Sequence, residues 1–468
     1  MNATNLLKSL LLAWVVLSGG GCADHRSDDA DRRPNIIFLL TDDHRWDALG
    51  SMGNPVIRTP HLDELARGGY LFRNAYTTTS ICAVSRASIL SGQYMAKHGI
   101  DDFSTDFSTD AFEQTYPMVL KQNGYRVGFI GKFGVGKHPP ANRFDFWSCT
   151  EKGQPPYIYQ DTHGAPVHHT DSIGRDIAKF LISQDTATQP FCLSVSFKAP
   201  HELDGRPPKY VVQEEFADWY DDTSVPVPES AKPQYWDSLP AFFRAPESIA
   251  RYRWETFFSN PETYQESVKD YYRLISGVDA EVGKLMVQLR DHGLDENTVI
   301  IFMGDNGFYL GEHGLEGKWF AHEESIRVPL IIYDPRKSAV DPGRALEQIA
   351  LNVDIAPTIL SLAGISNDGI PIGMQGVDLT KSINHGTSTR KRFYYEHRFY
   401  GSPQIPASEA VVSVDYKYIR YPEHHYEEFF DLTADRWEIQ NQMANNTYAD
   451  SIASFRRAFV DLKEQASQ

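Results

Sequence analysis

The stretch Asn35-Ile36-Ile37-Phe38-Leu39-Leu40-Thr41-Asp42-Asp43-His44 carries an unbroken run of large apolar side chains and then two adjacent carboxylates. A strand with one wet face alternates apolar and polar positions. An unbroken run instead predicts a strand buried on both faces, as in a parallel sheet between layers of helices. Asp42 and Asp43 fall at its carboxyl end, where open α/β sheets bind ligands. Side by side they repel each other unless something positive sits between them. A solvated turn is the other reading, commoner for a lone aspartate than for a pair.

The same texture returns at 125–130, 191–197, 299–303 and 329–333. Between these runs, 171–182 reads as a helix. Tyr271, Leu274, Ile275, Val278, Val282, Leu285, Met286 and Leu289 fall at helical spacing and stop before Gly293. Strands alternating with helices predict an α/β chain. Past residue 385 the runs shorten and alternate (393–396, 410–414, 416–421), with a last helix near 449–464. This fits a small antiparallel sheet with a helix packed on it, giving boundaries of 34–385 and 386–468. Residues 203–262 form a long insertion rich in proline and aromatics. Long loops in compact domains usually carry function or lack order. Tyr210, Trp219, Tyr235, Trp236, Phe242 and Phe243 could stack on sugar faces or close a small core of their own. The irregular tract 139–170, with His163, His168 and His169, reads as a loop lining a cleft, because no helical spacing supports a metal site there.

The chain has 468 residues, 45 basic and 62 acidic, for a net charge of −17. That balance argues against nucleic acid or an anionic membrane surface as a partner. Residues 1–22 read as an export signal, with Lys8, an apolar core from Leu10 to Leu17, and small residues before Cys22. The apolar run is too short to span a membrane. Cys22 after small residues resembles a bacterial lipoprotein cleavage site, with Gly19 in place of the usual leucine. The alternatives are a lipid anchor at Cys22, in the periplasm or on the outer membrane, and ordinary secretion. Residues 23–33 are polar and read as a tether. Cys149 and Cys192 could pair in an oxidising compartment, or Cys192 could simply be buried.

A second stretch carries the chemistry: Ser80-Ile81-Cys82-Ala83-Val84-Ser85-Arg86-Ala87-Ser88-Ile89-Leu90-Ser91-Gly92. Hydroxyls at 77–80 suit a helix N-cap, and Gly92 suits the helix end. Cys82 then lies at the helix N-terminus with Arg86 one turn up the same face. Free N–H groups, the helix dipole and a guanidinium together favour a tetrahedral anion. One reading is a nucleophile for an anionic ester, the other a buried cysteine acting as a small hydrophobe.

Cys82-x-Val84-Ser85-Arg86 followed by Leu90-Ser91-Gly92 resembles the signature of type I sulfatases, Cys-x-Pro-Ser-Arg-x-x-x-Leu-Thr-Gly, with Val84 where the family has proline or alanine. Arg33-Pro34-Asn35-Ile36-Ile37 and Thr59-Pro60-His61-Leu62-Asp63 resemble the family's opening. The resemblance implies a large mixed, mostly parallel sheet sandwiched by helices, of alkaline-phosphatase type, and a smaller C-terminal antiparallel subdomain. It also implies that a maturation enzyme oxidises Cys82 to formylglycine, the nucleophile. Asp42, Asp43, Asp305, Asn306 and the modified Cys82 would form a hard oxygen set, suited to Ca2+ rather than Zn2+. Gly131-Lys132-Phe133-Gly134-Val135-Gly136 is similar to the family's Gly-Lys-Trp-His-Leu-Gly, with Lys132 on sulfate and Gly134 where a histidine assists sulfate release. His138 is a replacement by proximity only. Lys198-Ala199-Pro200-His201 matches the Pro-His whose histidine contacts the bridging oxygen. Lys318 matches the second sulfate lysine, and His313 a leaving-group contact. His397 and Arg398, past a strand, either read the sugar or form a solvated turn.

The activity implied is hydrolysis of a sulfate ester. Asp305 to Gly314 resembles carbohydrate sulfatases, and a sulfated polysaccharide or its oligosaccharides are the expected substrates. The alternatives are a phosphodiester or phosphonate hydrolase of the same superfamily and a surface lipoprotein that binds sulfated glycans without cleaving them.

Overall fold

The computed structural model describes residues 33–468 apart from 151–152, 162, 185–188, 246, 339–342, 386–389 and 399–404. The export signal, Cys22 and all but the last residue of the tether lie outside the described residues. No described helix is long and apolar enough to cross a membrane.

Twelve described strands precede residue 385; two, Ile158–Gln160 and Pro166–His168, pair as a hairpin inside the tract expected to be irregular, and ten others supply the rest. They are β1 (Asn35–Asp42), β2 (Tyr70–Tyr76), β3 (Arg126–Gly131), β4 (Phe146–Cys149), β5 (Phe191–Pro200), β6 (Thr298–Gly304), the hairpin β7 (Tyr309–Leu310) and β8 (Glu316–Gly317), β9 (Leu330–Tyr333) and β10 (Arg344–Leu351). All of these but the β7–β8 hairpin form one sheet in the order β10-β2-β9-β6-β1-β5-β3-β4. Only β9 runs antiparallel to its neighbours, so the sheet is mixed and mostly parallel. The helices that matter to the site are α1 (Pro60–Gly68), α2 (Cys82–Ser91), α3 (Tyr116–Gln122), α4 (His169–Ile182), α5 (Ile249–Phe257), α6 (Pro261–Asp291), α7 (Ile355–Leu362) and α8 (Ala449–Ser467).

The apolar run of β1 explains the layering. Ile36, Phe38 and Leu40 face one layer, with Ile89 of α2, Tyr116 and Leu120 of α3, and Ile355 and Ile359 of α7. Ile37 and Leu39 face the other, with Leu62 and Leu65 of α1, Ile173 and Ile177 of α4, and Leu274, Val278 and Val282 of α6. Each such side chain contributes about 1.5–3 kcal/mol on burial. The strand is thus clamped from both faces, and its carboxyl tip is fixed. In register, Thr41 lies beside Gly304 of β6, and Asp42 beside Pro200 of β5. Three strand ends therefore meet at one place.

Four more strands, β11 (Phe393–His397), β12 (Ser408–Val412), β13 (Tyr416–Tyr421) and β14 (Tyr426–Asp431), form the antiparallel sheet expected near the C-terminus. One face packs on α8 through Tyr394, Val411, Tyr418 and Phe429 against Ile452, Phe455 and Phe459. The other packs on the larger part of the fold through Phe393, Tyr395 and Phe430, with Ile81, Trp319 and Leu351. Edge strand β11 hydrogen-bonds the chain just ahead of Cys82, from Glu396 N to Thr78 O at 3.1 Å. Residues 34–468 make one compact unit.

Several expectations need correction. Cys149 and Cys192 are both free. They sit on β4 and β5 with β3 between, and two strand spacings exceed the reach of a disulfide. The N-cap of α2 is Ile81, without a side-chain cap, because the hydroxyls before it are used elsewhere. Ser80 donates to Ser325 O at 2.6 Å, and Thr77 to Thr79 O at 2.9 Å. In the insertion, Tyr210 packs on Phe257, Phe242 stacks on His424, and Trp219 meets Phe216 edge to face. These aromatics close a protein core, the second of the two readings given for them.

Candidate active site

Asp42 and Asp43 end β1, Cys82 opens α2, Lys132 follows β3, His201 follows β5, and Asp305 and Asn306 follow β6. Lys318 follows the β7–β8 hairpin. All are buried. The ends of parallel strands and one helix N-terminus thus converge, as the sheet geometry requires.

Ion pairs knit the cluster. Lys132 Nζ donates to Asp42 Oδ2, and Lys318 Nζ to Asp43 Oδ1. Arg86 places Nε and Nη2 each 2.9 Å from Asp305 Oδ2, with Nη2 3.5 Å from Asp42. Its Nη1 donates to Lys132 O at 2.7 Å and to Ser196 Oγ. Asp305 Oδ1 accepts from Asp43 N at 3.1 Å. Asn306 Nδ2 donates to Asp43 Oδ1 at 2.6 Å and to Gly307 O at 2.8 Å, which leaves its amide oxygen free. Ser85 Oγ donates to Asp305 O at 2.5 Å and so fastens α2 to the tip of β6. Asp43 takes a left-handed backbone at φ 65°, uncommon for a residue with a side chain and typical of functional sites.

The electrostatics follow from burial among charges. Burial alone would raise the carboxyl of Asp42, yet Lys132, His201, Arg86 and Lys318 hold it well below the usual range. Burial and then the charge of Asp42 push Asp305 up to about 6, against the pull of Arg86. Burial opposes the charges of Lys132 and Lys318, but Asp42 and Asp43 respectively keep both firmly protonated. Burial raises the Cys82 thiol, which Lys132 and Lys318 pull back. Three cations balance three carboxylates around the cysteine. The basic groups are concentrated here although the chain as a whole carries −17.

His201 donates Nδ1–H to Glu202 O at 2.6 Å, which leaves Nε2 as its exchangeable nitrogen. Nε2 lies 3.5 Å from Asp43 Oδ2 and 3.3 Å from Gln154 Nε2. Gln154 and Tyr157, whose hydroxyl donates to His201 O at 2.5 Å, come from the irregular tract, which borders the site.

Not every expected residue joins this cluster. His313 has φ 56° and stacks on His322, ring centroids 4.6 Å apart. Burial, and then Lys417 of the C-terminal sheet, lower its pKa to about 4. Its ring therefore faces the C-terminal sheet's charges. His397 is the last residue of β11 rather than a turn beyond it, and it is completely buried. Arg398 pairs with Glu396 at 2.9 Å. His138 is exposed and paired with Asp106, so it does not stand in for the absent family histidine. At Gly134, φ is 72° and an added Cβ would sit 2.9 Å from Arg86 Cδ. The arginine occupies the room a side chain would need. Missing from the sequence reading altogether were Ser196, Glu202, Arg253 and Glu316, which carry no motif and meet only through the fold.

The family profile described as Sulfatase matches residues 34–365, more than two thirds of the chain. A second, described as the C-terminal part of N-sulphoglucosamine sulphohydrolase, matches 311–465. An N-acetylglucosamine-6-O-sulfatase of Bacteroides thetaiotaomicron is 29% identical across 98% of this chain and 91% of its own. An ulvan-active sulfatase of Formosa agariphila is 29% identical across 92% of this chain and 82% of its own. A solved complex with D-glucosamine-2-N,6-O-disulfate superposes with a TM-score of 0.80 at 27% identity, covering 93% of this chain and 98% of the other. Strand-tip carboxylates, a cysteine at a helix N-terminus and a profile matched from β1 through α7 therefore agree: the chain belongs to the sulfatase family of sulfuric ester hydrolases.

Proposed function

We propose that the chain hydrolyses sulfate esters of a carbohydrate, with Cys82 matured to formylglycine and one Ca2+ held at the strand tips. The observation that carries this reading is a set of three buried oxygens, Asp42 Oδ1, Asp43 Oδ2 and Asn306 Oδ1, with no hydrogen bond among the described residues. A buried acceptor without a donor costs about 1–3 kcal/mol. A hard divalent cation removes that cost. Asp42, Asp43, Asp305 and Asn306 fit it, and an all-oxygen set without thiolates suits Ca2+. Asp42 and Asp43 also lie close enough to His201 to share an ion with it, but the imidazole has a separate role.

When bound, the metal and the formylglycine supply an activated hydrated aldehyde as nucleophile. The chain's own groups do the rest. Charge balance among Arg86, Lys132, Lys318 and the three carboxylates becomes a net positive site once a divalent cation is present, which an anionic ester requires. Arg86, its planar fork committed to Asp305, holds that carboxylate in a fixed orientation and adds positive charge beside the ester. Lys132 and Lys318 screen the charge from either side. His201, its Nδ1–H fixed by Glu202 O, donates a proton from Nε2 to the leaving oxygen. Ser85, through Asp305, keeps α2 in line with the strand tips.

The carbohydrate substrate is supported by the relatives named for N-acetylglucosamine-6-sulfate, ulvan and glucosamine disulfate. Export, with Cys22 as a lipid anchor, and maturation by an enzyme that reads the stretch around Val84 complete the proposal. The test is the mass of the tryptic peptide between Arg73 and Arg86 from protein made in the native host. A loss of about 18 Da is the change of thiol to aldehyde. Sulfate release from sulfated sugars is expected of the same preparation. An unmodified cysteine, or phosphate esters preferred over sulfate esters, would sink the reading.

A further inference from the structure

Beside the strand tips lies a second set of buried polar groups that the proposed chemistry leaves unused. Glu202 follows His201, Glu316 lies on β8, and Arg253 comes from α5 within the long insertion. Glu316 is completely buried, and neither carboxylate oxygen has a hydrogen bond among the described residues. Arg253 Nη1 stands 3.9 Å from Glu316 Oε2, but it is already committed to Glu202 Oε1. Its Nη2 donates to Asp204 at 2.9 Å, where Asp204 forms an exposed rim. Glu202 Oε2 and the buried hydroxyl of Tyr210 also lack hydrogen bonds.

The place of Glu316 follows from its neighbours. Arg253 Nη1 stands between Glu316 Oε2 and Glu202, the residue next to His201, and Lys318, two residues on from Glu316, reaches Asp43. Glu202 meanwhile flanks the imidazole, its Oε2 3.5 Å from His201 Nδ1. Groups around His201 are the ones that meet the alcohol half of the ester. Carboxylate oxygens buried without donors call for a ligand that brings donors. A sugar has hydroxyls next to its sulfated oxygen; an aryl alcohol has none.

We propose that Glu316 and Glu202, capped by Arg253, form a subsite that accepts hydrogen bonds from the hydroxyls of a sugar leaving group, with Glu316 as the specificity-determining residue. This rests on the sulfatase reading above. Arg253 in the middle of the cluster sets it apart from the strand-tip metal site. The insertion thereby serves as a charged lid over the sugar instead of an aromatic platform beneath it.

The experiment compares full-length matured wild type, E316Q and E316L on 4-nitrophenyl sulfate and on a panel of monosulfated hexoses and hexosamines. The readout is the ratio of kcat/KM for the best sugar ester to that for the aryl ester. One lost hydrogen bond to a buried polar group corresponds to about 10–100-fold, so the ratio is expected to fall by at least about tenfold in E316L. E316Q keeps one acceptor oxygen and falls less. Should E316L fail to fold, the isosteric E316Q decides alone, with a drop of at least about threefold expected. A ratio unchanged in both variants, or equal losses on both esters, overturns the subsite while sugar turnover by wild type leaves the sulfatase reading standing. Wild type active only on the aryl ester overturns the subsite and the carbohydrate substrate; wild type inactive on both overturns the function itself.

Discussion

Replacing Arg86 with methionine tests whether that guanidinium holds the strand-tip carboxylates. The side chain is 2% exposed, and its stem lies among Phe38, Leu40, Ile89, Phe129 and Phe133. Methionine keeps that packing and deletes only the charged head. Asp305 Oδ2 then loses both nitrogens at 2.9 Å, and Lys132 O and Ser196 Oγ lose their donor. Breaking one side of a buried pair costs about 3–5 kcal/mol. Asp305 is already raised to about 6, above its unfolded value of 3.8, and loses a compensating charge in the variant. A carboxyl whose folded pKa is raised loses stability as pH rises, so the deficit is expected to be larger at pH 8 than at pH 5. A divalent cation replaces the missing charge, and at a hundredfold over its Kd contributes about 2.7 kcal/mol. Urea unfolding followed by tryptophan fluorescence, in EDTA and in Ca2+ at both pH values, measures all three effects. A loss below about 1 kcal/mol in EDTA at pH 8, or no recovery in Ca2+, would refute the reasoning.

Cys82→Ala is expected to abolish the mass loss in the 74–86 peptide and to lower kcat by at least about a thousandfold, read by sulfate release. Gly134→His, which restores the family's residue, is expected to lose about 1–3 kcal/mol of stability and some activity, because φ is 72° and the Cβ meets Arg86. Higher activity at unchanged stability would show that the site has room. Asp279 on α6 accepts from the N–H groups of His61 and Leu62 at 3.0 and 2.8 Å, and burial raises its carboxyl from 3.8 to about 7. Below about pH 4 it is protonated in both states. Between there and pH 7 only the unfolded chain ionises, so wild type loses stability as pH rises. Asp279→Asn keeps the acceptor and is expected to match wild type at pH 4 and exceed it at pH 8 by up to about 4 kcal/mol, measured by urea unfolding.

The strand tips were legible because one-dimensional signals marked them: an apolar run stops and Asp42-Asp43 or Asp305-Asn306 begins. β2 and β10 escaped notice for a physical reason. Ala345-Leu346-Glu347-Gln348-Ile349-Ala350-Leu351 has good helix formers throughout, and only pairing with β2 at the sheet edge makes it a strand. The N-cap failed because hydroxyl side chains have several possible partners, and tertiary ones won at Thr77 and Ser80. Glu316 sat unnoticed between Leu315 and Gly317, because Arg253 and Glu202 reach it only through the fold. His313 matches a motif by sequence, but its left-handed backbone turns the ring toward His322. His397 falls past a strand by its sequence pattern; the strand runs one residue further and takes it in.

The bond from Glu396 to Thr78 sets a schedule for biosynthesis. In the finished molecule Cys82 is 2% exposed, and the chain just ahead of its helix is held by a strand made more than three hundred positions later. If Cys82 is matured as proposed, burial of the thiol requires the oxidising enzyme to work before β11 arrives. At 5–20 residues per second, that interval lasts roughly 15–60 s after Cys82 is polymerised. Chains held unfolded for export have longer. On the proposed maturation, a chain that folds first locks the thiol inside, and the fraction of active protein is set by a race between folding and modification.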